Sequence, residues 1–139
     1  MSLRNKTIRS IGILALVGAC GLGLAGNASA SGGAAYIGSG HSTDAHAVWC
    51  VQHDFDYAVT HWGFRYPAPA TIAEDGLWGQ RTESAVEWLQ YAMGDQQDGI
   101  VGPQTGADLL TMGDPYYNGT PGAPGYCYQY IPGDFLPTS

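Results

Sequence analysis

The sequence predicts an all-α fold: a compact three-helix domain whose irregular C-terminal strap is tied down by one disulfide. Three observations lead there. An octapeptide of the form D-G-apolar-apolar-G-x-x-T occurs twice, as Asp75 to Thr82 and as Asp98 to Thr105, 23 residues apart. So short a period marks two similar supersecondary units, not two domains. Apolar residues recur at helical spacing in the segments around these turns. Finally, only Cys50 and Cys127 remain once an N-terminal leader is set aside.

That leader is the first 30 residues. Arg4, Lys6 and Arg9 give a basic start, Ile11 to Leu24 is an apolar run, and Ala28-Ser29-Ala30 is a small-residue cleavage site. The pattern is that of a secretory signal peptide cut after Ala30. The run is too short and too Gly-rich for a stable membrane span. Val17-Gly18-Ala19-Cys20 resembles a bacterial lipobox, which leaves a lipid anchor on Cys20 as the alternative to release. The expected location is therefore secreted or in the cell wall. Residues 31–44 open on a Gly/Ser/Ala-rich stretch and read as a flexible leader.

Ser42, Thr43 or Asp44 can cap a first helix from about Ala45 to Thr60. Val48, Val51, Phe55, Ala58, Val59 and Trp62 fall in one arc of it and should face the core, with His46, His53 and Tyr57 opposite. Pro67 and Pro69 make the next stretch a loop. A second helix from about Gln80 to Met93 turns Thr82, Ala85, Val86, Leu89, Ala92 and Met93 inward, with Trp88 at the border and Gly94 as terminator. In each octapeptide Asp-Gly sets a tight turn, and the second Gly permits a backbone angle or close approach that a side chain would block. Pro103 suits the first turn of a third helix reaching Leu110. The domain so defined spans residues 45–112. Residues 113–139, rich in Gly, Pro and Tyr, read as an irregular strap carrying Cys127 back to Cys50, with Tyr126, Tyr128 and Tyr130 on a short extended edge.

All 12 acidic residues follow the leader, against Arg65 and Arg81 alone. Nucleic acid and anionic headgroups are poor partners for such a chain; a neutral or zwitterionic polymer fits better, as does a polyanion bridged by divalent cations. In an oxidising compartment Cys50 and Cys127 pair most simply as a disulfide. A free thiol and a metal ligand are the weaker readings, since no C-x-x-C spacing is present. The bridge would close a loop of 77 residues, which chain entropy values at roughly 4.5 kcal/mol. A core of around 65 residues usually needs such a staple.

At this point the motifs resemble the peptidoglycan-binding domain family, the small three-helix module of secreted bacterial cell-wall proteins. Val48-x-x-Val51-Gln52-x-x-Phe55 fits its first helix. Asp75 to Thr82 followed by Ala85-Val86-Glu87-Trp88-Leu89-Gln90 fits its middle, and Gly94 with Asp98 to Thr105 fits its end. The resemblance covers about Ala45 to Leu110. It implies a peptidoglycan-binding-like domain with peptidoglycan, or a related wall glycan, as partner. The chain departs from the pattern at Asp95, which stands where an apolar residue is usual, in the long Pro-rich loop, and in the Cys-bearing tail. No catalytic domain is expected beside it.

The glycines should serve turn geometry first, and Asp75 and Asp98 can cap their own turns. Gln52 and Gln90 each sit beside a core stripe, where an amide can lock a loop or face a glycan. A glycan groove needs flat aromatic faces next to planar hydrogen-bonding groups. The candidate ligand-binding residues are accordingly Gln52, Asp75, Trp78, Gln80, Arg81, Trp88, Gln90 and Asp98. Arg81 can meet a stem-peptide carboxylate, or pair with Glu83 or Glu87. Tyr116, Tyr117 and Tyr128 offer a second aromatic surface or a cover for the core. His41, Asp44 and His46 invite a zinc site, yet His46 and His53 stand about 10 Å apart along the helix, and no nucleophile turn is present. No catalytic residue, metal or cofactor is expected. The expected function is a secreted, non-catalytic, monomeric wall-binding protein, with a separate secreted wall enzyme as a further partner. The alternatives are a small zinc-dependent wall peptidase and an interaction or inhibitor protein for another secreted protein.

Overall fold

α1 (Ala45–His61) begins at Asp44, whose carboxylate accepts from the backbone N–H of His46 at 3.1 Å and of Ala47 at 3.2 Å. Two of the helix's four orphan donors are satisfied there. In the computed structural model, which describes residues 34–137, α2 (Gln80–Met93) and α3 (Pro103–Met112) follow. Gly94 ends α2 at φ +83°, a left-handed angle that suits glycine. The expected signal peptide, Cys20 and the opening of the leader lie outside the described residues. Among those residues no helix is long and apolar enough to cross a membrane.

The three helices meet through the stripes their spacing predicts. Val48, Val51, Phe55 and Ala58 of α1, Ala85, Val86 and Leu89 of α2, and Leu109 and Leu110 of α3 are buried together. Each Val, Leu or Phe among them contributes roughly 1.5–3 kcal/mol relative to exposure. Trp62 departs from the predicted stripe. It follows the last turn of α1, is 49% exposed, and its indole N–H donates to the Met112 carbonyl at 2.8 Å. Met93, in the last turn of α2, is likewise exposed.

The leader is not free throughout. Ile37 is fully buried, and it pairs with Val101 in both directions, N to O at 3.1 Å and O to N at 2.9 Å. The carbonyls of Tyr36 and Ser42 accept from Ser42 and Gly38, closing a turn over residues 36–42. One large apolar side chain with a free backbone edge to pair against is enough to anchor a Gly-rich stretch.

The strap has regular structure too. Asp114 caps a short α4 (Pro115–Asn118) by accepting from the Tyr116 N–H at 2.9 Å. β1 (Gly119–Thr120) and β2 (Ala123–Pro124) form an antiparallel pair with Gly119 opposite Pro124. The expected extended edge is instead a 3-10 helix, Cys127–Gln129, whose Cys127 carbonyl accepts from Tyr130 and Ile131. Coiling turns Cys127 and Ile131 both inward, where both are fully buried. The Cys50–Cys127 bridge is present, with Cα atoms 5.6 Å apart. The molecule is thus mostly helical, with a two-stranded sheet and a disulfide-tied tail.

The turn glycines divide their work differently from expectation. Gly76 and Gly99, the first of each octapeptide, carry φ of +70° and +67°. A Cβ on Gly76 would also sit 2.9 Å from the Ala45 carbonyl oxygen. The second glycines, Gly79 and Gly102, are extended, with φ of −146° and −98°. Neither needs glycine for its backbone angle.

Candidate ligand-binding site

One glutamine holds each D-G turn. The Gln52 carbonyl accepts from the Gly76 N–H at 2.8 Å, and its amide donates to Asp75 Oδ1 (3.0 Å), the Leu77 carbonyl (3.1 Å) and Thr82 Oγ1 (3.0 Å). Gln90 repeats the pattern with the Gly99 N–H (3.0 Å), Asp98 Oδ1 (2.9 Å), the Ile100 carbonyl (3.0 Å) and Thr105 Oγ1 (3.1 Å). Asp75 and Asp98 each also accept from the N–H two residues on, at 3.0 and 2.9 Å. Both glutamines are 1% exposed. An amide carries only two N–H protons, and here three acceptors share them. The polar half of the octapeptide is therefore a pair of matching locks.

The remaining candidates divide between cleft and core. The loop before the first turn, Phe55 of α1 and the start of α2 enclose a cleft of about 450 Å³, walled by Phe55, Pro69, Ile72, Gln80, Arg81 and Trp88. Phe55 and Phe64 meet Trp88 edge-on, at ring separations of 6.2 and 5.0 Å, and hold it in place. A smaller cleft of about 260 Å³ lies over the first lock, against Gln52, Asp75, Leu77 and Gly79. Ile72, Gln80 and Arg81 border both clefts. Trp78 stands apart from them, packed against the core as a plug. A third cleft of about 190 Å³ lies over the second lock, beside Gln90, Asp98 and Gln104, with Tyr36 as one wall. The structure thus brings Gln80, Arg81 and Trp88 together, sets Gln52 and Asp75 in the adjoining cleft, and leaves Gln90 and Asp98 at the separate third cleft, all four serving as framework.

Arg81 makes neither of the expected pairs with Glu83 or Glu87; among the described residues the ion pairs join His53 to Glu74 (3.0 Å) and to Asp114 (3.2 Å). Arg65 lies 5.9 Å above the Tyr66 ring. The three residues of the zinc reading do not converge. Asp44 is occupied as a helix cap, His46 Nδ1 meets the Tyr126 hydroxyl at 2.5 Å, and His41 leans on Tyr36. Among the described residues no group of three or more His, Cys, Asp or Glu side chains is placed to hold a metal ion. Tyr117 covers Trp49 and His53, and Tyr128 stacks on Phe135, whereas Tyr116 is 82% exposed.

Sequence reasoning passed over two buried acids. Asp54 is fully buried; Oδ1 accepts from the Asp114 N–H at 3.1 Å, while Oδ2 has no partner. The neighbouring Asn118 spends its NH2 on the carbonyls of Leu109 and Leu110, and its own oxygen is unpartnered. Burial pushes the Asp54 carboxyl well above the usual range, against the opposing effects of Asn118 and the Asp114 N–H. Asp108 is pushed up to about 7 by burial and by the Asp95 carboxyl hydrogen-bonded to it. Asp75 moves the other way, lowered by the Leu77 N–H and the Gln52 amide.

These directions set the pH profile. Between about pH 4 and pH 7 the native chain keeps a proton on Asp108 that the unfolded chain has released, and Asp54 is shifted in the same direction, so stability falls as pH rises. Below about pH 4 the unfolded chain binds the proton that native Asp75 refuses, so stability falls again on acidification. Thermal unfolding followed by circular dichroism should show its highest midpoint near pH 4.5, with Asp108→Asn flattening the decline toward pH 8. A midpoint rising steadily from pH 5 to 8 would contradict the buried-proton assignment.

The comparisons with known proteins bear on the same segment. No curated protein and no solved structure was found to match the chain. A family model does, from the last turn of α1 through most of α3. The stretch that carries both D-G turns, residues 59–109, matches the family described as "Putative peptidoglycan binding domain", as the motif resemblance implied.

Proposed function

We propose that this chain is an exported, monomeric protein that binds peptidoglycan without catalysing a reaction, gripping the polymer in the cleft of Gln80, Arg81 and Trp88. The observation that carries this reading is that Gln80, Arg81 and Trp88 lie inside the matched segment and bring an amide, a guanidinium and an indole to one opening. Sugar rings present C–H patches edged by hydroxyls, which such a set complements. The walls include Ser84 but no histidine or carboxylate that could activate it. The disulfide accords with an oxidising compartment. Affinity per module is expected to be weak, with retention built up along a repetitive polymer, and a separate secreted enzyme can act beside it.

Pelleting with purified sacculi is the test. The protein should sediment with the wall fraction, and Gln80→Ala, an exposed change, should weaken retention severalfold with the thermal midpoint unchanged. Complete recovery in the supernatant, with and without calcium, would overturn the proposal.

A further inference from the structure

The two D-G units are chemical duplicates, so each serves as a control for the other where they differ. Val101 of the second unit has its peptide group fully paired with Ile37, at 2.9 and 3.1 Å. The Tyr36 ring lies over Gly102, 3.4 Å from where a Cβ would sit. The second unit thus seats an extended piece of this chain. Trp78 holds the place of Val101 in the first unit. Its peptide N–H and C=O make no hydrogen bond among the described residues. No heavy atom comes within 4 Å of the Cβ position of Gly79, the counterpart of Gly102. The Trp78 ring rests 3.3 Å from the Cβ position of Gly38, so the peptide group beside it is held in place.

A third difference concerns charge. Gln104 donates to Asp95 in the second unit. Its counterpart in the first unit is Arg81, which has no partner among the described residues and borders both clefts. Beyond the leader, where twelve acidic residues stand against only Arg65 and Arg81, this guanidinium marks a place where an anionic group can dock.

We propose that the first D-G turn binds an extended, carboxylate-bearing peptide, its backbone pairing with Trp78 as Ile37 pairs with Val101 and its carboxylate meeting Arg81. The occupant is the peptide moiety of the wall polymer, an assignment that rests on the wall-binding reading. Backbone pairing supplies affinity of the strand-addition kind, the open Gly79 lets the ligand main chain approach, and the planar guanidinium takes a carboxylate through two parallel hydrogen bonds.

Stem peptides released from sacculi by an amidase, titrated into the full exported chain and followed by NMR and calorimetry, test the proposal. Gly79→Thr adds a branched Cβ in open space, at an extended φ of −146°, and threonine opens helices about as well as glycine. It should keep the thermal midpoint within about 2 °C and lower peptide affinity at least tenfold. Arg81→Gln, which copies the second unit, should lower it about tenfold. Methyl-esterified peptides should bind the parent chain as weakly, with no further loss on the Arg81→Gln background. Peptide binding indifferent to both variants would overturn the proposal. Retention on sacculi and on peptide-free glycan strands without stem-peptide binding would overturn it too, leaving the wall reading intact. Loss of both sacculus and peptide binding would remove the two together. Equal competition by an ordinary protein segment with a free carboxylate would replace the wall peptide with a protein partner.

Discussion

Breaking the Cys50–Cys127 bridge should lower the free energy of unfolding by about 4.5 kcal/mol, the chain-entropy value for the sequence separation of 77. Domains of this size commonly hold only about 5–10 kcal/mol in total, so the bridge accounts for a large share. Beyond α4 the strap seats Cys127 and Ile131 in the core, with Tyr128, Tyr130 and Phe135 packed against it, and the rings of Tyr126 and Tyr130 also meet His46 of α1. Urea unfolding of the oxidised protein and of the Cys50→Ser/Cys127→Ser variant measures the difference. A change below about 1 kcal/mol would mean that the strap stays seated by packing alone.

The second large effect is expected at the locks. Gln52→Glu keeps the side chain's shape but exchanges three donor contacts for a carboxylate facing Asp75, and should cost about 3 kcal/mol at neutral pH. Gln90→Glu should cost less. Gln90 secures a turn only eight residues ahead, whereas Gln52 reaches across 23 residues and also fastens α1 to the loop. Acid supplies the diagnostic. Once protonated, the substituted carboxyl can donate again, so the destabilisation should shrink toward pH 4. A pH-independent loss in urea titrations would point to packing rather than to the missing donor.

Much of this architecture is legible in the sequence, for identifiable reasons. Helix starts follow from local chemistry, at Asp44 for α1 and Pro103 for α3. The residues that face inward follow from the 3.6-residue period, because burial of Val48, Val51, Phe55, Val86 and Leu89 needs only a stripe. The disulfide follows from arithmetic on two cysteines. What escapes are contacts that no period encodes. Ile37 looks like an isolated apolar residue until Val101 is known to offer a free edge. Asp54 is three residues from Val51 and four from Ala58, a spacing that places it toward the buried side. Its charge argues it outward, and only the fold shows it enclosed, with its carboxyl pushed up by burial. Asp95 is visible as a departure from the family pattern, but its pairing with Asp108 on α3 needs the fold. The candidate site reads as one list of eight residues in the sequence. In the fold it is two locks, a core plug and a cleft, a division that depends on which side of each turn faces solvent.

The burial of Asn118 has a practical consequence. Asn118-Gly119-Thr120 matches the acceptor pattern for N-linked oligosaccharide, yet the folded side chain is fully enclosed, its NH2 group on the carbonyls of Leu109 and Leu110. A eukaryotic secretory host would meet this tripeptide on the nascent chain before the enclosure forms. Sugar added then has no room in the closed structure, and the tail could not seat to bring Cys127 against Cys50. Yeast or mammalian expression would therefore trap the product open unless Thr120 were first replaced.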